Sequence, residues 1–220
     1  MARRARREAS RAACAAPTRP RPSGRGPISL VALGSSTGGP MALLELVGAL
    51  PADLPVPLVV VQHMPATFTA VLAAHLARQG TIGASEAVHG EPLRPGHLLV
   101  APGGRHLEVQ GPPPGTVVLH DGPRVCSCRP SVDVLFRSVA ASHGASALGV
   151  VLTGMGRDGA DGAVALRDAG ASTLVQDAET SVVWGMPGAV VRARAADAVL
   201  PLRAIPGAIT ERIGRARRSA

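Results

Sequence analysis

Short, almost wholly apolar runs recur along the chain, each followed by a longer segment whose apolar positions repeat with helical spacing. The runs fall at 28–33, 58–62, 97–101, 148–153 and 172–176. A strand that is apolar at every position has both faces covered, which is the pattern of a parallel sheet held between helices. Helical segments are predicted at 41–49, 68–78, 131–142 and 160–169, with Gly80, Gly144 and Gly170 placed as stops. The alternation predicts the α/β class: a three-layer, doubly wound, mostly parallel sheet. One connection departs from it. Residues 107–109 and 116–120 flank Gly111-Pro112-Pro113-Pro114-Gly115, which is too short to hold a helix, so an antiparallel hairpin is expected there as a flap on the sheet.

In such sheets chemistry collects at the carboxyl ends of strands. The first run ends in Gly34-Ser35-Ser36-Thr37-Gly38-Gly39, a strand-to-helix turn that spells G-x-S-x-G. Its glycines permit a sharp bend and the amides of the next helix point into the same space, surroundings that suit a nucleophile beside an oxyanion. Glycines and small polar residues also make ordinary loops, so the turn gains meaning only if a base stands near it. The second run ends in His63 and the fourth leads through Gly154-Met155-Gly156-Arg157 to Asp158. A serine hydroxyl needs a neutral imidazole to take its proton, and the imidazole holds the right tautomer when a carboxylate accepts from its other nitrogen. Ser36, His63 and Asp158 are therefore the candidate nucleophile, base and orienter. Taken singly, a histidine after a strand is commonly structural and an aspartate at a helix start is commonly a cap. Their shared sheet edge is what favours chemistry.

Two competing patterns are weaker. Gly154-x-Gly156-x-x-Gly159 is a literal dinucleotide fingerprint, with Asp177 ending the next strand. A pyrophosphate there would meet Asp158 and Asp161, and like charges repel. The Ser36 turn lacks the lysine of a Walker loop.

At 220 residues the chain is long enough for one domain with appendages. Its net charge of +8 lies at the ends. Residues 1–26 carry eight Arg and one Glu, and 211–220 four Arg and one Glu, leaving 11 Arg against 13 acids in 27–210. The expected division is a disordered Arg- and Pro-rich arm, a folded domain over 27–210, and a basic tail over 211–220. A slightly acidic folded part with few aromatic residues excludes a nucleic-acid groove. The arm has no apolar core of a secretory signal, and no run reaches the roughly 18 apolar residues of a membrane helix, so a cytoplasmic protein without membrane insertion is expected. Cys14, Cys126 and Cys128 lack the spacing of a zinc or disulfide framework, even with His120 and His143 near the pair in sequence. Reduced thiols are expected, with no metal and no cofactor.

The Ser36 turn, together with Gln62-His63-Met64-Pro65, Ala101-Pro102-Gly103-x-x-His106, Pro130-Ser131-Val132-Asp133, Leu152-Thr153-Gly154-Met155-Gly156-x-Asp158-Gly159, Gln176-Asp177 and Gly185-Met186-Pro187, resembles the catalytic domain of the chemotaxis protein-glutamate methylesterases, the CheB type. The motifs run in order from about residue 28 to 202. The resemblance implies an esterase acting on glutamate 5-methyl esters of the cytoplasmic helices of methyl-accepting chemoreceptors, with release of methanol, and often a glutamine deamidase too. It carries the triad onto Ser36, His63 and Asp158. The order Ser, His, Asp differs from that of α/β-hydrolases, so the G-x-S-x-G spelling reflects shared turn physics. Backbone amides of Thr37 and Met155 are expected oxyanion donors, and His106 is expected to shape the pocket. Ser35 stands where the family commonly has Ala, which leaves two adjacent hydroxyls, of which Ser36 is favoured by its place in the turn. The family usually carries an N-terminal receiver domain; 26 Arg- and Pro-rich residues cannot form one, so receiver control within this chain is not expected. The alternative is a CheB-like signalling module of another pathway that uses its cleft to bind a partner.

Overall fold

The computed structural model describes residues 27–218. Seven strands, β1 (Leu30–Ser35), β2 (Leu58–Gln62), β3 (Gly83–Glu86), β4 (His97–Val100), β7 (Ala147–Val151), β8 (Ser172–Gln176) and β9 (Ala198–Leu200), form one sheet in the order β3-β4-β2-β1-β7-β8-β9. Every pairing in it is parallel. Helices α1 (Gly39–Gly48), α2 (Ala66–Gln79), α3 (Val132–His143), α4 (Ala160–Asp168), α5 (Gly185–Arg192) and α6 (Ile205–Arg218) cover it.

The all-apolar runs follow from burial on both faces. In β1, Leu30 and Ala32 face a core shared with Phe136 and Val139 of α3, Leu166 of α4 and Val190 of α5. Val31 and Leu33, one residue out of step, face Leu43 and Leu46 of α1, Leu76 of α2 and Ile209 of α6. Successive side chains point to opposite sides of a strand, so two apolar layers require an apolar residue at every position.

The hairpin of β5 (His106–Gln110) and β6 (Thr116–His120) is antiparallel and forms its own two-stranded sheet. Instead of extending the central sheet it lies in the α3 layer, where Leu107, Val109, Val117 and Leu119 join the core and the Val109 amide donates to Ser138 Oγ at 3.0 Å.

The arm expected at 1–26 lies outside the described residues. The domain end expected at 210 falls inside α6, which carries Ile213, 4% exposed, into the core. Ile205, Ile209 and Ile213 are buried at helical spacing along this helix, a pattern that the local density of charge in the sequence had obscured.

β1 pairs with β2 on one side and β7 on the other, and the helices change face there: α1 covers one face of the sheet, α3 and α4 the opposite one. This is the switch point of a doubly wound sheet, where a crevice opens beyond the carboxyl ends of the strands. Register sets Ser35 beside Gln62 and Gly34 beside Val151, so Ser36 and His63 leave the sheet level with each other.

Candidate active site

Ser36 stands at the end of β1. Its amide donates to Thr153 O at 3.0 Å and its carbonyl accepts from Gln62 Nε2 at 3.0 Å, so both flanking strand ends hold the turn. Gly38, in the left-handed region at φ 80, is the N-cap of α1 and lets the chain turn into the helix. Gly154 passes so close that a Cβ there would stand 2.9 Å from Ser36 Cβ. The two serines separate cleanly. Ser35 is buried and donates to Gln62 Oε1 at 2.7 Å, whereas the half-buried Ser36 hydroxyl has no hydrogen-bond partner among the described residues.

His63 follows β2. Its amide donates to Ser35 O at 3.1 Å, and its Nε2 lies 2.8 Å from Asp158 Oδ2. With Nε2–H directed to the carboxylate, Nδ1 carries the unprotonated lone pair. In that tautomer it accepts from Cys128 Sγ at 3.7 Å, and no hydrogen bond joins it to Ser36 in this structure.

Asp158 is 2% exposed. Besides His63, it accepts from Ser131 Oγ at 2.7 Å and from the amides of Val132 at 2.7 Å and Asp133 at 3.0 Å. Burial pushes its carboxyl up, but the hydrogen bonds from His63, Ser131 and the two amides outweigh burial and hold it below the ordinary carboxylate range. Asp158 is thus a helix cap and the partner of His63 at once, and the helix it caps is α3, not the α4 that follows it in sequence. Asp133, in the first turn of α3, returns the arrangement: its Oδ1 accepts from the amides of Gly159 at 3.0 Å and Gly162 at 2.7 Å at the start of α4. Burial is the main reason its own carboxyl is raised, with the neighbouring Asp158 adding to it. The α4 amides that a pyrophosphate would use are therefore occupied by the protein's own carboxylate.

The amides of Thr37 and Met155 donate to no acceptor among the described residues. Met155 itself is 69% exposed, and a groove lined by Gly38, Met41, Thr153, Thr180 and Val182 adjoins the Ser36 turn. His106 is placed otherwise. It is wholly buried, its Nε2 is 3.0 Å from Pro123 O, and its ring lies 5.2 Å from that of His120 beneath the hairpin. Burial, ahead of its other surroundings, lowers its pKa, consistent with a neutral packed imidazole. Its contacts are structural and do not make it a pocket wall.

Sequence reasoning left several supports without a role. Gln62 and Gln176 end β2 and β8; each spends its amide on the turn of a neighbouring strand, Gln176 Oε1 accepting from the Thr153 amide at 2.7 Å. Ser131 and Asp133 stood in a quoted motif, but nothing local announced that they face Asp158. Uncharged glutamines and a serine closing apolar strands were the available signal, since buried polar groups need partners. Cys126 and Cys128 fall beside His63, Asp133 and Asp158, away from the histidines nearest them in sequence.

A doubly wound sheet with a hydroxyl, an imidazole and a buried carboxylate at its switch point defines an α/β protein with the parts of a serine hydrolase. The chain belongs to the CheB methylesterase family, whose model matches residues 31–209. It is 48% identical over 194 residues to a protein-glutamate methylesterase/protein-glutamine glutaminase of Maricaulis maris, covering 85% of this chain and 48% of that protein. A similarly named protein of Caulobacter vibrioides is 48% identical over 213 residues, 95% of this chain and 61% of the relative. The chain thus spans about half to three fifths of the length of these relatives. The crystal structure of the Thermotoga maritima CheB methylesterase catalytic domain matches at a TM-score of 0.80 and 39% identity, over 84% of this chain and 98% of that one.

Proposed function

We propose that the chain hydrolyses glutamate 5-methyl esters of a protein and deamidates protein glutamines by the same route, the two activities that the names of its relatives give them, and that its substrates are the cytoplasmic helices of chemoreceptors. The observation that carries this reading is the 2.8 Å contact between His63 Nε2 and the buried Asp158, which leaves Nδ1 unprotonated, its long contact to the Cys128 thiol to be exchanged for the hydroxyl one strand away. Catalytic hydrogen bonds often close only when substrate is bound. Ser36 Oγ attacks the ester carbonyl while its proton passes to Nδ1. The carbonyl oxygen becomes an oxyanion facing the unclaimed amides of Thr37 and Met155 and the N-terminus of α1, which has no acidic residue in its first turn. Collapse expels methoxide, which takes the proton back as methanol. Water then attacks the acyl-serine with His63 again as base, freeing the glutamate. For glutamine the leaving group is ammonia.

The exposed Met41, Val182 and Met155 at the rim suit the apolar flank of an amphipathic receptor helix. Among the described residues no helix is long and apolar enough to cross a membrane, and the proposed site of action is cytoplasmic. Incubation with methylated receptor fragments releases methanol, and Ser36→Ala lowers the rate by on the order of 10⁴-fold or more. An unchanged rate in that variant removes Ser36 as nucleophile; a folded wild type that releases no methanol and binds a receptor or other partner favours the signalling-module reading.

A further inference from the structure

Cys128 borders the site without a part in the reaction above. Its Sγ stands 3.7 Å from His63 Nδ1, on the opposite side of the imidazole from Asp158. We propose that His63 Nδ1 and Cys128 Sγ form a binding site for a thiophilic divalent cation of the zinc class, with water completing the coordination, and that its occupancy switches the enzyme off.

Three observations converge on it. First, tetrahedral zinc takes an imidazole nitrogen at about 2.0–2.1 Å and a thiolate at about 2.3 Å, which sets nitrogen and sulfur about 3.5 Å apart. The observed separation needs a shift of only about 0.2 Å. Second, a metal-bound histidine characteristically gives one ring nitrogen to the ion and the other N–H to a carboxylate, which orients the ring and raises its basicity. Asp158 supplies that carboxylate, and the tautomer it selects leaves the lone pair on the nitrogen facing Cys128. Third, the backbone sets the position of Cys128. In a narrow turn the Val125 amide donates to Cys128 O at 3.1 Å and the Cys128 amide to Val125 O at 2.8 Å, while Cys126 and Ser127 sit at φ 50 and 64, where residues other than glycine are uncommon.

On binding, the ion takes the Nδ1 lone pair and the sulfur, and the thiol proton leaves to solvent; no electron moves. Burial, with Asp158 adding to it, pushes the Cys128 thiol up to about 11, so at neutral pH the ion must displace a proton. The lone pair used by the ion is the one that accepts the Ser36 proton, so the two uses exclude each other. The inhibition rests on the proposed esterase reading; the binding does not. The neighbouring trio of Cys126, Asp133 and Asp158 is the rival site, but both carboxylates there are already engaged by helix amides.

The experiment titrates cobalt(II) into the full chain under reducing conditions and follows the near-ultraviolet thiolate-to-cobalt charge-transfer band. One cobalt per chain, displaced by zinc, is expected. The band is lost in Cys128→Ser and Cys128→Ala and kept in Cys126→Ser and Cys14→Ser. In a parallel methanol-release assay, zinc inhibits the wild type, and about 10–100-fold more zinc is needed to halve the rate of each Cys128 variant relative to that variant's own metal-free rate. A band that persists in the Cys128 variants, or that disappears in Cys126→Ser instead, overturns the assignment, as does its absence at millimolar cobalt. The expected band in a protein without esterase activity supports the metal site and counts only against the esterase reading.

Discussion

The turns after β1 and β7 are built alike and carry opposite chemistry. Each leaves a central strand, and each enters its helix through a left-handed glycine N-cap, Gly38 at φ 80 and Gly159 at φ 91. After β1 the helix start has no acidic residue, and the Thr37 amide is unclaimed among the described residues. After β7 the amides of Gly159 and Gly162 are held by Asp133. The first turn is open to an incoming anion. The second is already filled by one, so it can present a second carboxylate, Asp158, to His63. Backbone conformation at the caps does not distinguish them; the difference comes from their side chains and from the start of α3, whose Val132 packs on both turns but whose Asp133 carboxylate closes only the second.

The largest expected effect comes from removing the charge that this second turn presents. Asp158→Asn lowers kcat for ester hydrolysis by about 10⁴-fold, because the tautomer of His63 is no longer enforced. A loss below about tenfold would remove Asp158 as the orienter. Gly38→Ala attacks the open turn: a side chain at φ 80, with its Cβ 2.6 Å from Val182 Cγ2, costs about 1–3 kcal/mol in urea unfolding. No change in the midpoint would show that the turn adopts another conformation. Asp133→Asn sharpens the contrast between the two acids, since its amide oxygen still accepts from Gly159 and Gly162. It costs about 1 kcal/mol or less and leaves the rate within about tenfold; a collapse matching that of Asp158→Asn would mean the two carboxylates act as one unit.

The acid limb of stability separates the same pair. A carboxyl with a depressed folded pKa contributes stability that is complete above its unfolded value, near 3.8 for Asp158, and is lost as pH falls through the lower folded value. Asp133, raised by burial, works in the opposite sense. Below about pH 4 the wild type therefore loses stability more steeply than Asp158→Asn, and parallel curves would contradict the assigned direction. The smallest effect is at the surface, where Arg157, in the loop before α4, pairs at 2.7 Å with Asp161 in its first turn and both are exposed. Breaking that pair costs about 0.3–0.5 kcal/mol and vanishes in high salt.

Much of this frame was legible in the chain. The apolar runs marked β1, β2, β4 and β7 because burial on both faces leaves no room for alternation; β8, with Ser172, Thr173 and Gln176 around Leu174 and Val175, is equally buried but carries the pattern more weakly. β3 (Gly83–Glu86) and β9 (Ala198–Leu200) escaped because edge strands are short and partly exposed, so their composition is not constrained in that way. α5 escaped because Pro187 reads as a breaker, although a proline in a first turn forfeits no helical hydrogen bond. Ser36, His63 and Asp158 could be named as candidates because strand ends in a doubly wound sheet converge.

The sequence by itself determined which residues would line the crevice, since the order of strands and turns is a one-dimensional property. Only the tertiary structure decided which of two adjacent serines is open, that Asp158 caps α3 while Asp133 caps α4, that His106 is packed away, and that Cys128 faces His63. Each of these depends on hydrogen bonds and contacts between residues far apart in the chain, with 95 positions separating His63 from Asp158 and 65 separating it from Cys128. Local pattern carries no signal for such pairs, because the energy that selects them exists only once the sheet has brought the strand ends together.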